Sequence, residues 1–187
     1  MYFNKYKSLN LDIDLREMKG TFRKRYPGPE GGFLTYYWVK DYIKLNQVFP
    51  ELWKLAPDFI FVAEIDGGYI GPDSKNDMGP HIDYQTETVL NWYQKANECV
   101  TYFYEPKPDK KPFKAEQDDT SNLYTLNDVD VVNSFTAKDN DLYLLNVSKI
   151  HSVKVTQPGP RLFLNVSWST KTFEEISELI RLNTQWN

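Results

Sequence analysis

Hydrophobic positions are distributed unevenly along the chain. From residue 59 onward, short apolar and β-branched runs recur between clusters of Gly, Pro, Asn and Asp, the pattern expected of successive strands. They are Phe59–Ile65, a short segment at His81, Thr88–Tyr93, Cys99–Tyr104, Val129–Thr136, Leu142–Leu145, Ile150–Val155 and Arg161–Trp168. About eight strands at such close spacing predict a mainly β fold of the jelly-roll type. The gap between Thr88–Tyr93 and Cys99–Tyr104 has hairpin length. The turn Lys138–Asp141 presents Leu142–Leu145 as the partner of Val129–Thr136. Gln157-Pro158-Gly159-Pro160 forces a reversal ahead of the last strand.

Residues 1–58 read differently, as a mixture of helix and loop. Leu45–Ala56, bounded by Pro50 and Pro57, suits one or two short helices, with Pro50 at a first-turn position. Tyr26–Gly32 is rich in Gly and Pro and reads as a turn. Beyond the strands, Thr172–Ile180 is amphipathic; Thr172 is placed to cap a helix, with Glu174 and Glu175 in its first turn. The expected organisation is one domain over 1–187: a helical and loop part (1–58), a jelly-roll core (59–170) and a C-terminal helix (171–187). Glu105–Asn122, Pro- and Lys-rich and then acidic, holds no convincing strand. It is either a solvated hairpin loop or a lid at the barrel mouth.

Composition narrows the functional classes. With 13 Tyr, 11 Phe and 5 Trp, the chain is aromatic-rich, and no apolar run approaches the roughly 20 residues needed to span a bilayer. Met1–Lys7 lacks the apolar stretch of a signal peptide. Cys99, the only cysteine, excludes an internal disulfide and a thiolate cluster within one chain, and at the head of an apolar strand it reads as packing. A cytoplasmic setting is the expectation. The net charge of −4 disfavours sequence-independent nucleic-acid binding, and Arg23-Lys24-Arg25 reads as solvated loop charge.

The chemistry-bearing residues are few. The chain has two histidines, His81 in His81-Ile82-Asp83 and His151, with Arg161 ten residues after the second. On an extended strand, residues i and i+2 point to the same side, so His81 and Asp83 can reach one metal. His151 can join them if a late strand returns beside an early one. Two imidazoles and one carboxylate form the facial triad that leaves positions open on Fe(II). A guanidinium suits bidentate capture of a small carboxylate in the same cavity. Without a metal, the same residues reduce to a surface His81–Asp83 hydrogen bond, a His151 satisfied by a backbone carbonyl, and an Arg161 salt bridge.

The pattern His81-x-Asp83, His151 and Arg161, together with Asn146–Val153 and Arg161–Val166, resembles the Fe(II)/2-oxoglutarate-dependent dioxygenase superfamily. Its prolyl hydroxylase and aspartyl/asparaginyl hydroxylase-like branches are the nearest flavour. The resemblance runs from about Phe59 to Trp168. It implies a double-stranded β-helix (cupin-like jelly roll) flanked by N-terminal helices. It further implies His81, Asp83 and His151 as ligands of Fe(II), Arg161 as the 2-oxoglutarate anchor, and dioxygen as co-reactant, with ascorbate as supporting reductant. The implied reaction hydroxylates a C–H bond, of a peptide side chain or a small molecule, and releases succinate and CO2. One departure stands out: several members carry Ser or Thr two residues after the arginine, where this chain has Phe163. Asn91 and Tyr102 are the candidates for the missing polar contact to the cosubstrate, provided that both face inward. Two alternatives stay open, a cupin-like metal barrel with other chemistry and a catalytically silent β-barrel binding module.

Overall fold

Strand Arg161–Trp168 is buried from end to end, and its two faces serve different compartments. Leu162, Leu164, Val166 and Trp168 enter one hydrophobic core; Phe163 enters a second, and Arg161 and Asn165 line a cavity on that second side. A strand covered on both faces belongs at the centre of a sheet with a layer on each side. The structure, a computed structural model, describes residues 1–27, 33–65, 80–115, 118–154 and 159–186.

Its strands are β1 (Phe3–Tyr6), β2 (Lys19–Pro27), β3 (Phe33–Val39), β4 (Phe59–Ile65), β5 (His81–Ile82), β6 (Thr88–Lys95), β7 (Val100–Pro106), β8 (Phe113–Ala115), β9 (Asp118–Leu123), β10 (Val129–Thr136), β11 (Leu142–Asn146), β12 (His151–Lys154) and β13 (Arg161–Trp168). Among the described residues, helices α1 (Tyr42–Val48), α2 (Glu51–Lys54) and α3 (Phe173–Asn183) complete the regular structure, with one 3-10 turn at Leu126–Asp128. One sheet runs in the order β1-β11-β6-β13-β4-β3-β2 and the other in the order β10-β7-β12-β5-β9-β8. The eight strands that the apolar pattern predicts lie side by side, four in each sheet. β4, β6, β11 and β13 sit in the first sheet, and β5, β7, β10 and β12 in the second. This alternation is the double-stranded β-helix, a jelly roll.

The first core lies between the outer face of the seven-stranded sheet and the helices. Leu45 and Phe49 of the α1 region, Leu52 of α2, and Phe173, Ile176 and Ile180 of α3 pack there on Leu90, Trp92 and Trp168. Helix α3 begins as its sequence predicts. The Thr172 hydroxyl accepts from the Glu175 amide, and the Glu175 carboxylate accepts from the Thr172 amide, a complete capping box. The second core fills the space between the sheets with Phe103, Phe135, Tyr143 and Phe163.

Several expectations change. Residues 1–58 are not only helix and loop, since β1 extends the first sheet beside β11, and β2 and β3 extend it beside β4. The charged strand β2 escapes a hydrophobic pattern because it is an edge with Thr21–Arg25 exposed. The proposed pairing of Leu142–Leu145 with Val129–Thr136 is wrong: β10 pairs with β7, and β11 pairs with β6 and β1. Nor do β6 and β7 form a hairpin, because the chain crosses from one sheet to the other between them. A short loop fixes how far the chain travels, not which sheet receives it. Glu105–Asn122 is more than loop: it contains β8 and most of β9, which widen the second sheet next to β5. Most of the Tyr26–Gly32 turn, and Gln157-Pro158 of the later reversal, lie outside the described residues.

Candidate metal centre

The short strand β5 lies between β12 and β9, and its pairing with β12 sets His151 directly opposite His81. This cross-strand pair brings together residues seventy apart in sequence. The two imidazole rings lie with centroids 4.5 Å apart. Asp83 follows β5 and is held by its own amide, which donates to the Val147 carbonyl at 3.2 Å. Its Oδ1 stands 3.3 Å from His81 Nε2 and 3.8 Å from His151 Nε2. One ligand atom from each of the three residues can be chosen so that all lie within 4.8 Å of one another.

Orientation is set from behind. His151 Nδ1 lies 3.0 Å from the Lys149 carbonyl oxygen. A carbonyl only accepts, so Nδ1 carries the proton and the Nε2 lone pair faces the triad. Burial, and then the neighbouring His81, push His151 down to about 4 against the opposing pull of Asp83 and the Lys149 carbonyl. Burial pushes the Asp83 carboxyl up, but His151, His81 and Lys24 together outweigh it and hold it below the usual carboxylate value. At neutral pH the cluster therefore offers an unprotonated His151 nitrogen and a carboxylate, the forms that bind a divalent cation. It also aims a lone pair and an anion at each other, which a cation between them would resolve.

The triad opens onto a cavity of about 90 Å³ between the sheets. Drug-sized ligands occupy roughly 300 Å³ or more. The enclosed space thus suits an ion with a small organic acid, and anything larger has to approach from the mouth. Arg161 lines the same cavity at 2% exposure, with its guanidinium carbon 4.6 Å from the Tyr93 ring centre and 4.9 Å from that of Phe163. These rings cradle the cation but do not neutralise it. Among the described residues no carboxylate pairs with Arg161, and its Nε is buried with no hydrogen-bond partner. Thr101 Oγ1, 1% exposed and also on the cavity wall, is the other buried side-chain atom of the described residues without a partner. Two orphaned polar atoms in one small cavity, one of them on a cation, fit an anionic ligand with oxygen acceptors.

The sequence candidates therefore separate. His81, Asp83, His151, Arg161 and Asn91 all line the cavity. Asn91 is already engaged on both ends: its Nδ2 donates to Tyr93 Oη at 3.2 Å, and its Oδ1 accepts from Asn165 Nδ2 at 2.9 Å. Tyr102 is a correction. Its side chain is on the opposite face of β7, packed against the cluster of Tyr104, Tyr124, Val129 and Ile150, and the inward neighbour is Thr101. A one-residue shift in register accounts for the error. The structure sets Thr101 on the inward face with Cys99 and Phe103, a choice of face that the sequence alone does not make. Cys99 is buried packing as expected, its thiol pushed up by burial despite the nearby Arg161.

No family model matches the chain, and no curated protein does. Solved structures give distant likenesses. The non-heme alpha-ketoglutarate-dependent epimerase SnoN from nogalamycin biosynthesis, in complex with Fe3+, alpha-ketoglutarate and nogalamycin RO, is 11% identical, with a TM-score of 0.47 over 78% of this chain and 67% of that one. A Pseudomonas putida prolyl-4-hydroxylase is 11% identical, with a TM-score of 0.37 over 79% and 78%. The Lactobacillus farciminis oxalate decarboxylase, in its formate complex, is 11% identical, with a TM-score of 0.39 over 80% of this chain but 32% of its own length.

Proposed function

We propose that this chain is an Fe(II)- and 2-oxoglutarate-dependent oxygenase that hydroxylates a C–H bond. One observation carries the reading: a buried, unneutralised Arg161 shares a small cavity with a His-Asp-His cluster. A cupin-like metal site acting on a neutral substrate needs the cluster but has no use for the buried cation. A 2-oxoglutarate oxygenase would use both, the cluster to hold its metal and the cation to neutralise the far carboxylate of a dianionic cosubstrate. Bound at His81, Asp83 and His151, iron would supply dioxygen activation coupled to decarboxylation of the cosubstrate to succinate and CO2.

The chain's own residues account for the rest. Arg161 anchors the distal carboxylate of 2-oxoglutarate, and Thr101 donates the second hydrogen bond, in place of the Ser or Thr that Phe163 displaces. Phe163 instead supports the guanidinium from one side and Tyr93 from another. Asn91, with Asn165 and Tyr93, organises the cavity floor. Val89, Leu145 and Val147 keep the inner wall apolar, which strengthens the electrostatic contacts inside.

The test is succinate formation from 2-oxoglutarate with Fe(II) and ascorbate. Turnover above a chelated control, lost in His81→Ala and in His151→Ala, is expected. Metal binding by calorimetry without 2-oxoglutarate affinity would move the chain to the cupin-like reading, and absence of both would leave a binding module.

A further inference from the structure

The strand register lays a column of polar side chains along one wall of the cavity. Asn165 of β13 is the cross-strand partner of Asn91 of β6, and Tyr93 follows Asn91 by two residues, on the same face. All three are buried and line the cavity together with Thr101 and Arg161. Their hydrogen bonds run in one direction. Asn165 Nδ2 donates to Asn91 Oδ1 at 2.9 Å, and Asn91 Nδ2 donates to Tyr93 Oη at 3.2 Å. A carboxamide carries its acceptor on one side and its donors on the other, so Asn165 fixes which end of Asn91 meets Tyr93. The phenol oxygen is therefore the acceptor in that bond, and among the described residues no group accepts the phenol's own proton. Tyr93 is 0% exposed, so the cavity is where this proton can find an acceptor.

We propose that the Tyr93 hydroxyl is a third hydrogen-bond donor to the acid held by Arg161, and that Asn165 and Asn91 are positioning residues that keep it a donor. The acid is 2-oxoglutarate on the oxygenase reading, on which its identity rests; the need for an anionic acceptor comes from the cavity itself. An ionised carboxylate donates nothing and accepts at roughly four lone-pair positions, which a bidentate guanidinium, the Thr101 hydroxyl and the Tyr93 hydroxyl together fill. The Tyr93 ring already lies against Arg161, with the guanidinium carbon 4.6 Å from the ring centre, so the phenol sits beside the anchor. In a space of about 90 Å³, an acid that reaches one of these groups meets the others. Asn91 has both ends of its amide engaged and acts on the ligand through Tyr93. A relay of the opposite polarity would turn the phenol proton back onto Asn91. Tyr93 would then aim lone pairs into the cavity and repel a carboxylate.

Calorimetry on the full chain tests this with two probes: 2-oxoglutarate titrated into the Zn(II)-loaded chain, which does not turn over, and glutarate titrated into the metal-free chain. Glutarate has the same two carboxylates and lacks the keto group. Tyr93→Phe keeps the ring that lies against Arg161 and removes the proton alone. It is expected to weaken both acids about tenfold or more, as loss of a hydrogen bond to a charged group does. Asn165→Leu frees Asn91 to turn its oxygen towards Tyr93, and should weaken both acids by a similar factor. The positioning role predicts non-additivity: Asn165→Leu should cost nothing further in the Tyr93→Phe background, whereas general damage to the cavity would add. Unchanged or tighter binding in Tyr93→Phe, additive losses in the double variant, or failure of the unaltered chain to bind either acid would overturn the proposal. Glutarate binding that depends on Tyr93, without succinate formation from 2-oxoglutarate, would sink the oxygenase reading alone. Turnover with Tyr93→Phe binding unchanged would sink the third donor alone.

Discussion

At His151 a single backbone carbonyl, that of Lys149, decides which ring nitrogen faces the cluster, and burial decides that the ring stays neutral. The second effect has a consequence for stability. His151 titrates near 4 in the folded chain against an ordinary value of 6.5, so between those limits the unfolded chain binds the extra proton. Stability is then full above pH 6.5 and falls as pH drops towards 4, by an amount of order 3 kcal/mol. Asp83, also lowered, adds a loss of the same sign below its ordinary carboxylate value. Urea denaturation of the chelated protein at pH 7 and at pH 4.5 should show the fall, and His151→Leu should flatten it. Arg161 and Thr101 yield a second expectation. Thr101→Val keeps the shape but removes the hydroxyl, and a hydrogen bond to a charged group contributes about 1.5–3 kcal/mol. A loss of 2-oxoglutarate affinity of about tenfold or more is expected by calorimetry, with iron affinity unchanged. Arg161→Met should abolish cosubstrate binding while the chain remains folded, since an apolar chain between Tyr93 and Phe163 removes a buried charge.

Elements reveal where local pattern is sufficient and where it is not. Seven of the eight barrel strands were legible because each buries apolar side chains between turn residues, and β4, β10 and β13 match in their bounds; β5, two half-buried residues long, was legible only through His81. Strand β2 was not, since Phe22–Arg25 at an exposed edge carry no hydrophobic signature. Strand β1, four residues long, was too short to register, and β9 pairs with β5 from within a segment that reads as loop. Gly20 shows how close β2 comes to its neighbour: a Cβ there would lie 2.8 Å from the Trp38 carbonyl oxygen. Because that oxygen is backbone, Gly20→Ala has to push β2 away from β3, and a loss of about 1–3 kcal/mol is expected in chemical denaturation. The capping box of α3 makes a gentler case. Thr172→Ala should cost about 1 kcal/mol in the same assay, and Thr172→Asp much less.

For the molecule as a whole, the two cores divide structure from chemistry. One core joins the helices to the outer face of the large sheet, and the other surrounds the cavity. Leu164→Ala, in the first core, should lower stability by about 2–5 kcal/mol without changing iron affinity in the folded fraction. The candidate site was legible for a similar reason of economy. The chain has two histidines, and the strand pairing His151↔His81 that unites them follows from eight strands alternating between two sheets. Thr101 and Tyr93 escaped because apolar and polar residues alternate there on faces that only the register distinguishes.

The brevity of β5 has one more implication. Two residues long, it is joined to β12 through a single cross-strand pair and to β9 through two. So small a ladder frays more readily than the eight-residue strands around it. A divalent ion gripped by His81 and His151 would act as a rivet across that weak seam. Amide hydrogen exchange at Ile82 should therefore slow when iron is loaded and quicken when it is chelated, well before the rest of the barrel loosens.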